Sequence, residues 1–576
     1  MKQRLLDFFH SSLLAGVELD LRRTRSDGPQ PVERAGRSDS ERPETVWTAG
    51  FLNERFPAPV SPLGWSVIGG LFDRYALRDP LRYMGYPAAE TIPTTRLVHG
   101  HPYTNVLIFQ ILYNPFPTAL VPADAVRYFP EGDLNWRKRA PYPGSLFNPR
   151  LIVSLLAHFV RDPINWSPLN FWQWERYTHM HDRRVAALNA QLEQADTPRE
   201  LLRLAEGAEQ ANADFARIHR WSLTYADILY KLLVPLAGDA AQTLISNVPI
   251  ITQRMNDDLA ALGHLAARLS LALDSEEAIE RSLENVEFAA AVAAFVRAHG
   301  HRSFSLDIAA PTFGDEPAQF LRLIHTQAPP APAGPDWRVV RDGVRAHLPV
   351  WERPWFDLVF ALARRYASLR ENQRYYWHKS LAVARHVYLQ LARFLPAGII
   401  DTPHDIFFAT AAELAAYFRQ GLSDDELARA IRARREAGRH DRQAYLESPA
   451  RAYPAFLQGD VPLARAVAAP VAAWQGRGIS PGQAQGRARV IVDVQELGRV
   501  LPGEILVAPA TDPGWTPVFA RLGALVLERG GILAHGAIVA REYHLPAVAG
   551  IPDITRQLRD GDPIEVDGTR GTVRKL

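Results

Sequence analysis

The sequence predicts a multidomain protein in which a large, mainly α-helical domain is followed by a small α/β domain. Three features predict it. At 576 residues the chain is longer than one hydrophobic core ordinarily serves, and 47% hydrophobic with 10% aromatic content is enough for several cores. From about Arg150 to Phe394 apolar side chains recur at three-and-four spacing, the period of helices buried along one face. From Gly478 onward the pattern changes to short apolar runs punctuated by glycine and proline, as in strands alternating with short helices.

Composition narrows the function classes. A net charge of +2 gives no electrostatic case for a nucleic-acid partner, and the absence of cysteine excludes disulfides, thiolate catalysis and cysteine-bound metals. The longest candidate span, Phe288 to Val296, is far short of the roughly 20 apolar residues that cross a bilayer. The N-terminal stretch has no long apolar core or small-residue cleavage site. A cytoplasmic protein without a membrane or nucleic-acid partner is the expectation.

Taken in order, residues 1–47 read as an amphipathic N-terminal helix (2–22) and a flexible polar linker, and residues 48–462 as the helical domain. The proline-rich entry Asn53 to Ser66 leads into a helix from Trp65. His99-Gly100-His101 suits a strand or turn, and without a legible third ligand its histidines do not make a metal site. Helices follow over 169–192, 198–218, 221–246, 251–272 and 276–298. Most of their aromatic residues, among them Trp172, Trp174, Trp221 and Tyr225, suit packing between helices. The Ala/Pro tract 328–335 reads as a surface crossover, and a long helix runs from about Pro354 to Phe394. Two more, near 411–420 and 423–440, lead to a hinge linker over 463–477. In the α/β domain, 478–576, strands are expected at Ala488–Val492, Glu504–Val507, Ala524–Leu527, Pro563–Val566 and Thr572–Arg574. Thr511 caps a helix reaching Arg521. Gly530-Gly531 turns the chain into a short helix that opens at His535, with Ala537, Ile538 and Ala540 inward and Arg541 and Glu542 outward.

The candidate chemistry centres on His535. The first N–H groups of a helix lack internal partners and can hold an anion beside that imidazole, while the helix terminus favours its neutral, nucleophilic form. On the long helix Arg370 and Arg374 stand one turn apart with Glu371 adjacent. Such a triplet is either a phosphoryl clamp with a carboxylate or an exposed ion-paired face. His301, after the helix end at Gly300, is either a general base or a histidine that caps a helix or satisfies a buried carbonyl.

The runs GGILAHGAIVAREYHLPAVAG, TDPGWTP at 511–517 and GISPGQAQGRARVIV at 478–492 resemble the swivelling phosphohistidine domain of the phosphoenolpyruvate synthase, pyruvate phosphate dikinase and rifampin phosphotransferase superfamily. The resemblance implies that His535 carries a phosphoryl group between two sites, that Gly531, Gly536 and Thr511 are cofactor-binding positions around it, and that Arg370, Glu371 and Arg374, with His301, belong to the transfer site of an acceptor-binding domain. Two departures stand out. Ala534 replaces the usual Thr or Ser before the histidine, and Ser303-Phe304-Ser305-Leu306 replaces Gly-Pro-Gly-Glu, displacing the acidic residue to Asp307.

The sequence has no glycine-rich phosphate cradle with Lys and Ser/Thr, and the superfamily resemblance implies that the donor half is a separate ATP-grasp subunit that binds ATP and Mg²⁺. That layout is similar to phenylphosphate synthase, and it implies a small hydroxyl acceptor such as a phenol. The alternatives are an antibiotic or natural-product phosphotransferase, a phosphate-activating ligase component, and a non-catalytic phosphohistidine relay.

Overall fold

Two helices of 40 and 39 residues form the spine of the helical domain, and the strands around them bring distant parts of the chain together. The computed structural model describes residues 44–576 except 54, 119–120, 122, 141, 143–144, 146, 246–247, 249–250, 274, 325–335, 420, 464–472, 512–514 and 532–534. The expected N-terminal helix and linker, the crossover 328–335 and most of the hinge therefore lie outside the described residues.

Strands β1 (Val46–Thr48), β2 (Thr95–Val98) and β3 (His101–Asn105) join β4 (Phe456–Gln458) and β5 (Val461–Pro462) in an antiparallel sheet of order β2-β3-β1-β4-β5. The sheet thus fastens the start of the helical domain to its end. His99 and Gly100, at φ 50° and 70°, form the two-residue turn between β2 and β3. Beyond the turn His101 is fully buried and stacks on Tyr453 at 4.3 Å, while His99 Nδ1 lies 3.2 Å from Asp441.

Helix α1 (Pro62–Leu71) begins three residues before the expected Trp65, because Ser61 accepts from the Gly64 N–H and Pro62 suits the first turn. Asp307 accepts from both the N–H and the hydroxyl of Ser61, each at 2.6 Å. The acidic residue displaced from the family motif is thus engaged in holding a helix cap.

Helices α2 (Phe171–Leu192) and α3 (Pro198–Ala237) pack with α4 (Ile251–Arg268), α5 (Val286–His299) and the long α6 (Arg353–Leu391). The sequence reading broke α3 into 198–218 and 221–246, but the helix is continuous to Ala237. Ile218, Trp221, Ser222 and Tyr225 are all buried and keep the helical period through the expected gap, and neither glycine nor proline stands between Ile218 and Tyr225. The α3–α6 seam is apolar with a few satisfied polar pairs. Ser380 donates to Asn212 Oδ1 at 2.7 Å, and the Tyr388 hydroxyl donates to Glu209 at 3.3 Å. Trp174, Trp221 and Tyr225 are buried in this core, whereas Trp172 is exposed. Helix α7 (Asp424–Glu447) leads back to β4. Among the described residues no helix is long and apolar enough to cross a membrane.

The C-terminal domain is built on an eight-stranded sheet of order β6-β13-β12-β8-β9-β10-β11-β7. Its strands are β6 (Ala473–Gln475), β7 (Arg477–Ser480), β8 (Gln483–Val490), β9 (Ile505–Ala508), β10 (Ala524–Leu527), β11 (Ala547–Ala549), β12 (Pro563–Asp567) and β13 (Thr572–Lys575). The span read as linker, 463–477, needs correction at its end. β6 pairs with β13 and β7 with β11, so the folded sheet begins at Ala473. The central strands β8, β9, β10 and β11 run parallel, and side chains alternate between two cores. Leu525 and Leu527 pack on one face with the short helix α8 (His535–Glu542), and Ala524 and Val526 pack on the other with Ile554 and Ile564. The helix expected from Thr511 to Arg521 is shorter, Thr516–Phe519.

Polar contacts hold this domain against the helical one. Arg442 of α7 donates to Asp493 at 2.5 Å, Arg529 donates to Asn53 at 3.1 Å, and Asn256 of α4 donates to the Tyr543 hydroxyl at 3.3 Å. A partly exposed ion pair contributes at most about 1 kcal/mol, enough to change a docked population about fivefold. Asp493→Arg, which sets two arginines together, is expected to enlarge the radius of gyration measured by small-angle X-ray scattering. Restoring opposite charge with Arg442→Asp in the same chain should reverse the change.

Candidate functional site

The site forms where α8 meets the helical domain. Buried β10 delivers the chain to Gly530, whose φ of 140° is a conformation that side chains avoid, and Gly531 follows, buried. Helix α8 then starts at His535, with its axis anchored by Ala537, Val539 and Ala540 in the sheet core. Thr511, at the end of the β9 stretch, packs against the first turn of α8, so closely that a Cβ on Gly536 would collide with its hydroxyl. The Thr511 hydroxyl is buried and has no hydrogen-bond partner among the described residues. A buried unpaired hydroxyl at a helix N-terminus is matched to an anion that accepts from both.

Gly536→Ala tests this packing. Alanine favours a helix over glycine by roughly 0.5–1 kcal/mol, but overpacking costs about 1–3 kcal/mol. The expected result is a lower apparent melting temperature for Gly536→Ala, recovered when Thr511→Ala removes the colliding hydroxyl.

The outer face assigned to α8 from its sequence is corrected by the structure. Arg541 is buried, not solvated, and donates to the Ile479 carbonyl of β7 at 2.8 Å. Burial lowers its guanidinium to about 10, still charged at neutral pH. Glu542 is half-buried, and its carboxyl is raised to about 8 by loss of hydration and by the neighbouring Glu371 carboxylate. Amphipathicity of a single helix places such charges in water, but here a second domain covers them.

That second domain brings Arg370 to α8. A cavity of about 20 Å³ lies between the two domains, with Ile538 and Arg541 of α8 on one side and Arg370 of α6, Tyr230 of α3, Ala363 and Ala367 on the other. It has room for about one water. Arg370 and Glu371 both act electrostatically on Arg541, which confirms that this turn of α6 faces α8. Arg374, one turn further, lies instead within charge range of buried His378, whose Nδ1 accepts from the Ser303 N–H at 3.1 Å. His301 packs edge-on against Tyr375, ring centres 4.5 Å apart, one turn beyond Glu371. Its Nε2 is buried without a partner among the described residues, and burial, then Arg302 and Lys379, hold the ring well below its usual pKa and neutral. The structure therefore gathers Arg370, Glu371 and the Ile538–Arg541 turn of α8 at one interface, and sets His301 and Arg374 at its far edge. Sequence reasoning overlooked Tyr230 and Glu542. No local pattern marks Tyr230, which becomes visible only when α3 and α8 meet.

Comparison with known proteins agrees with this geometry. Residues 500–571, which include Thr511 and His535, match the family described as PEP-utilising enzyme, mobile domain. Residues 215–371, ending on Glu371, match the rifampicin phosphotransferase fourth domain. Rifampicin phosphotransferase of Streptomyces sviceus is 34% identical over 41% of this chain and 24% of its own length, and that of Bacillus cereus is 27% identical over 50% and 34%. An uncharacterised protein of Mycobacterium tuberculosis is 32% identical over 53% of this chain and 33% of its own. The chain thus spans between 24% and 34% of the length of these relatives. Among solved structures, aconitase X of Thermococcus kodakaraensis aligns with 18% of this chain and 98% of its own at 21% identity, but the TM-score of 0.16 supports no argument. In its C-terminal domain and in the helical segment that faces it, the chain is similar to the PEP-utilising enzymes and to rifampicin phosphotransferase, as its motifs predict.

Proposed function

We propose that this chain carries a phosphoryl group on His535 and passes it to a small hydroxyl acceptor held by the helical domain, as one component of an ATP-dependent phosphotransferase. The observation that carries the reading is the meeting of Arg370 with a helix that opens at His535 beside an unpaired buried hydroxyl, Thr511. Arginine can engage phosphoryl oxygens through two parallel donors, and helix N–H groups and the Thr511 hydroxyl supply the remainder of an anion site. With the nucleophile and charge stabilisers so placed, transfer depends on positioning more than on covalent chemistry by the protein.

In this reading the acceptor oxygen attacks phosphorus as the N–P bond to His535 breaks, Arg370 neutralises charge on the phosphoryl oxygens, and the hydroxyl proton goes to Glu371. ATP and Mg²⁺ belong to a separate ATP-grasp subunit, and the acceptor is a phenol or similar alcohol. The apolar wall of alanines around Arg370 supports an acceptor of that kind.

The test combines the chain with the partner and ATP labelled at the β-phosphate. Acid-labile label on the chain, followed by its transfer to a phenol, is the expected result. Label that loads but never leaves for any hydroxyl compound would make the protein a relay, and no label at all would overturn the reading.

A further inference from the structure

The helix Pro149–Arg161 turns its polar side inward and its apolar side out. Asn148 caps it by accepting from the Arg150 N–H at 3.0 Å, and Pro149 fits its first turn. Ser154 Oγ donates to the Arg82 carbonyl at 3.0 Å, and the His158 ring packs edge-on against Tyr83, ring centres 4.7 Å apart. Leu151 is buried, but Ile152, Val153, Leu156, Phe159 and Val160 are between 41% and 74% exposed. A surface helix ordinarily sets such a stripe against its own core. An apolar patch of this kind on the outside marks a surface that meets another molecule.

We infer that this face joins two copies of the chain, as an antiparallel pair of helices related by a two-fold axis at Leu156. Two observations select a second copy as the occupant. The first is the symmetry of the pattern. Apolar residues stand three and four positions to either side of Leu156, so reversing the helix maps the stripe onto itself. A two-fold interface needs a patch that is its own complement. Antiparallel packing about Leu156 sets that side chain against Leu156 of the second copy, Ile152 beside its Phe159, and Val153 beside its Val160. The second observation is area. With Phe147 at the edge, itself exposed, the stripe presents roughly 600 Å² of apolar surface, and two such faces bury about 1,200 Å², the lower end of specific interfaces.

The rim predicts a salt dependence. Arg150 and Arg161 are exposed and lie three turns apart on one flank of the helix, so the two-fold sets Arg150 near Arg161 of the second copy. Screening that repulsion tightens the pair. The pairing is independent of the phosphocarrier reading, because among the described residues this helix lends none to the cavity at Arg370.

Sedimentation velocity on the full chain, over a wide range of concentration, tests the proposal. The wild type is expected to pass from one copy to two with a micromolar dissociation constant, and to associate more tightly as salt is raised. Leu156→Glu, which sets two carboxylates together on the axis, should raise that constant at least about 100-fold. Leu156→Lys should do the same. An equimolar mixture of the two variants should associate at least about tenfold more tightly than either alone, since only a position that faces itself turns repulsion into attraction. Val339→Glu, at an exposed apolar position of the helix Trp337–His347, should leave the dimer intact. A wild type that stays monomeric overturns the proposal, and binding of that monomer to vesicles of phosphatidylcholine and phosphatidylglycerol would then assign the face to a lipid surface. A dimer that survives Leu156→Glu, or a mixture no tighter than its parts, overturns it equally. If Leu156→Glu does not fold, Val160→Glu decides: loss of the dimer supports the pairing, and an intact dimer overturns it.

Discussion

His535→Ala is expected to take up no acid-labile phosphoryl group from the ATP-charged partner, while melting like the wild type. The loss should be complete because the variant lacks the imidazole that serves as covalent anchor in the proposed reaction. Folding should be spared because position 535 opens the helix, the sheet core is filled by Ala537, Val539 and Ala540, and alanine is a good helix former. The measurement is label retained at alkaline pH and lost in acid, compared between the two proteins. Equal label on both would place the carrier elsewhere.

Arg370→Ala is expected to slow transfer from the loaded chain about 100- to 1000-fold, the loss usual for one preorganised charge stabiliser, and to leave loading nearly unchanged. The separation is expected because Arg370 lies on the helical domain, where it lines the cavity facing α8, whereas in the proposed reaction loading takes place on the donor subunit. Arg370→Lys should recover only part of the rate, since an ammonium offers a point charge in place of a planar fork. Arg374→Ala should cost less, because Arg374 lies towards His378 and away from the cavity. Single-turnover discharge to phenol, measured beside the loading rate, checks all three. Loss of loading and transfer by the same factor would assign Arg370 a structural role.

What could be read from the sequence depended on how local each signal is. The strand Ala524–Leu527, the turn at Gly530 and the helix opening at His535 were legible because an apolar run, a glycine pair and a three-and-four pattern each specify their own backbone. The short strands Ala473–Gln475 and Ala547–Ala549 were not, since each is recognisable only through its partners β13 and β7. Arg541 and Glu542 were assigned to solvent for a related reason: a single helix's pattern contains no information about the surface of another domain. Arg370 and Glu371 show the same limit from the other side. Their spacing permitted a covered or a solvated face, and the structure sets Arg370 across a cavity from α8.

The narrowness of the gap between Arg370 and Arg541 has a kinetic consequence. A space that admits one water does not admit a phenol, so the proposed transfer requires a compulsory order, with the acceptor seated first and the charged carrier arriving over it. Substrate inhibition by excess carrier, or by any condition that favours premature closure, would be the steady-state signature of that order.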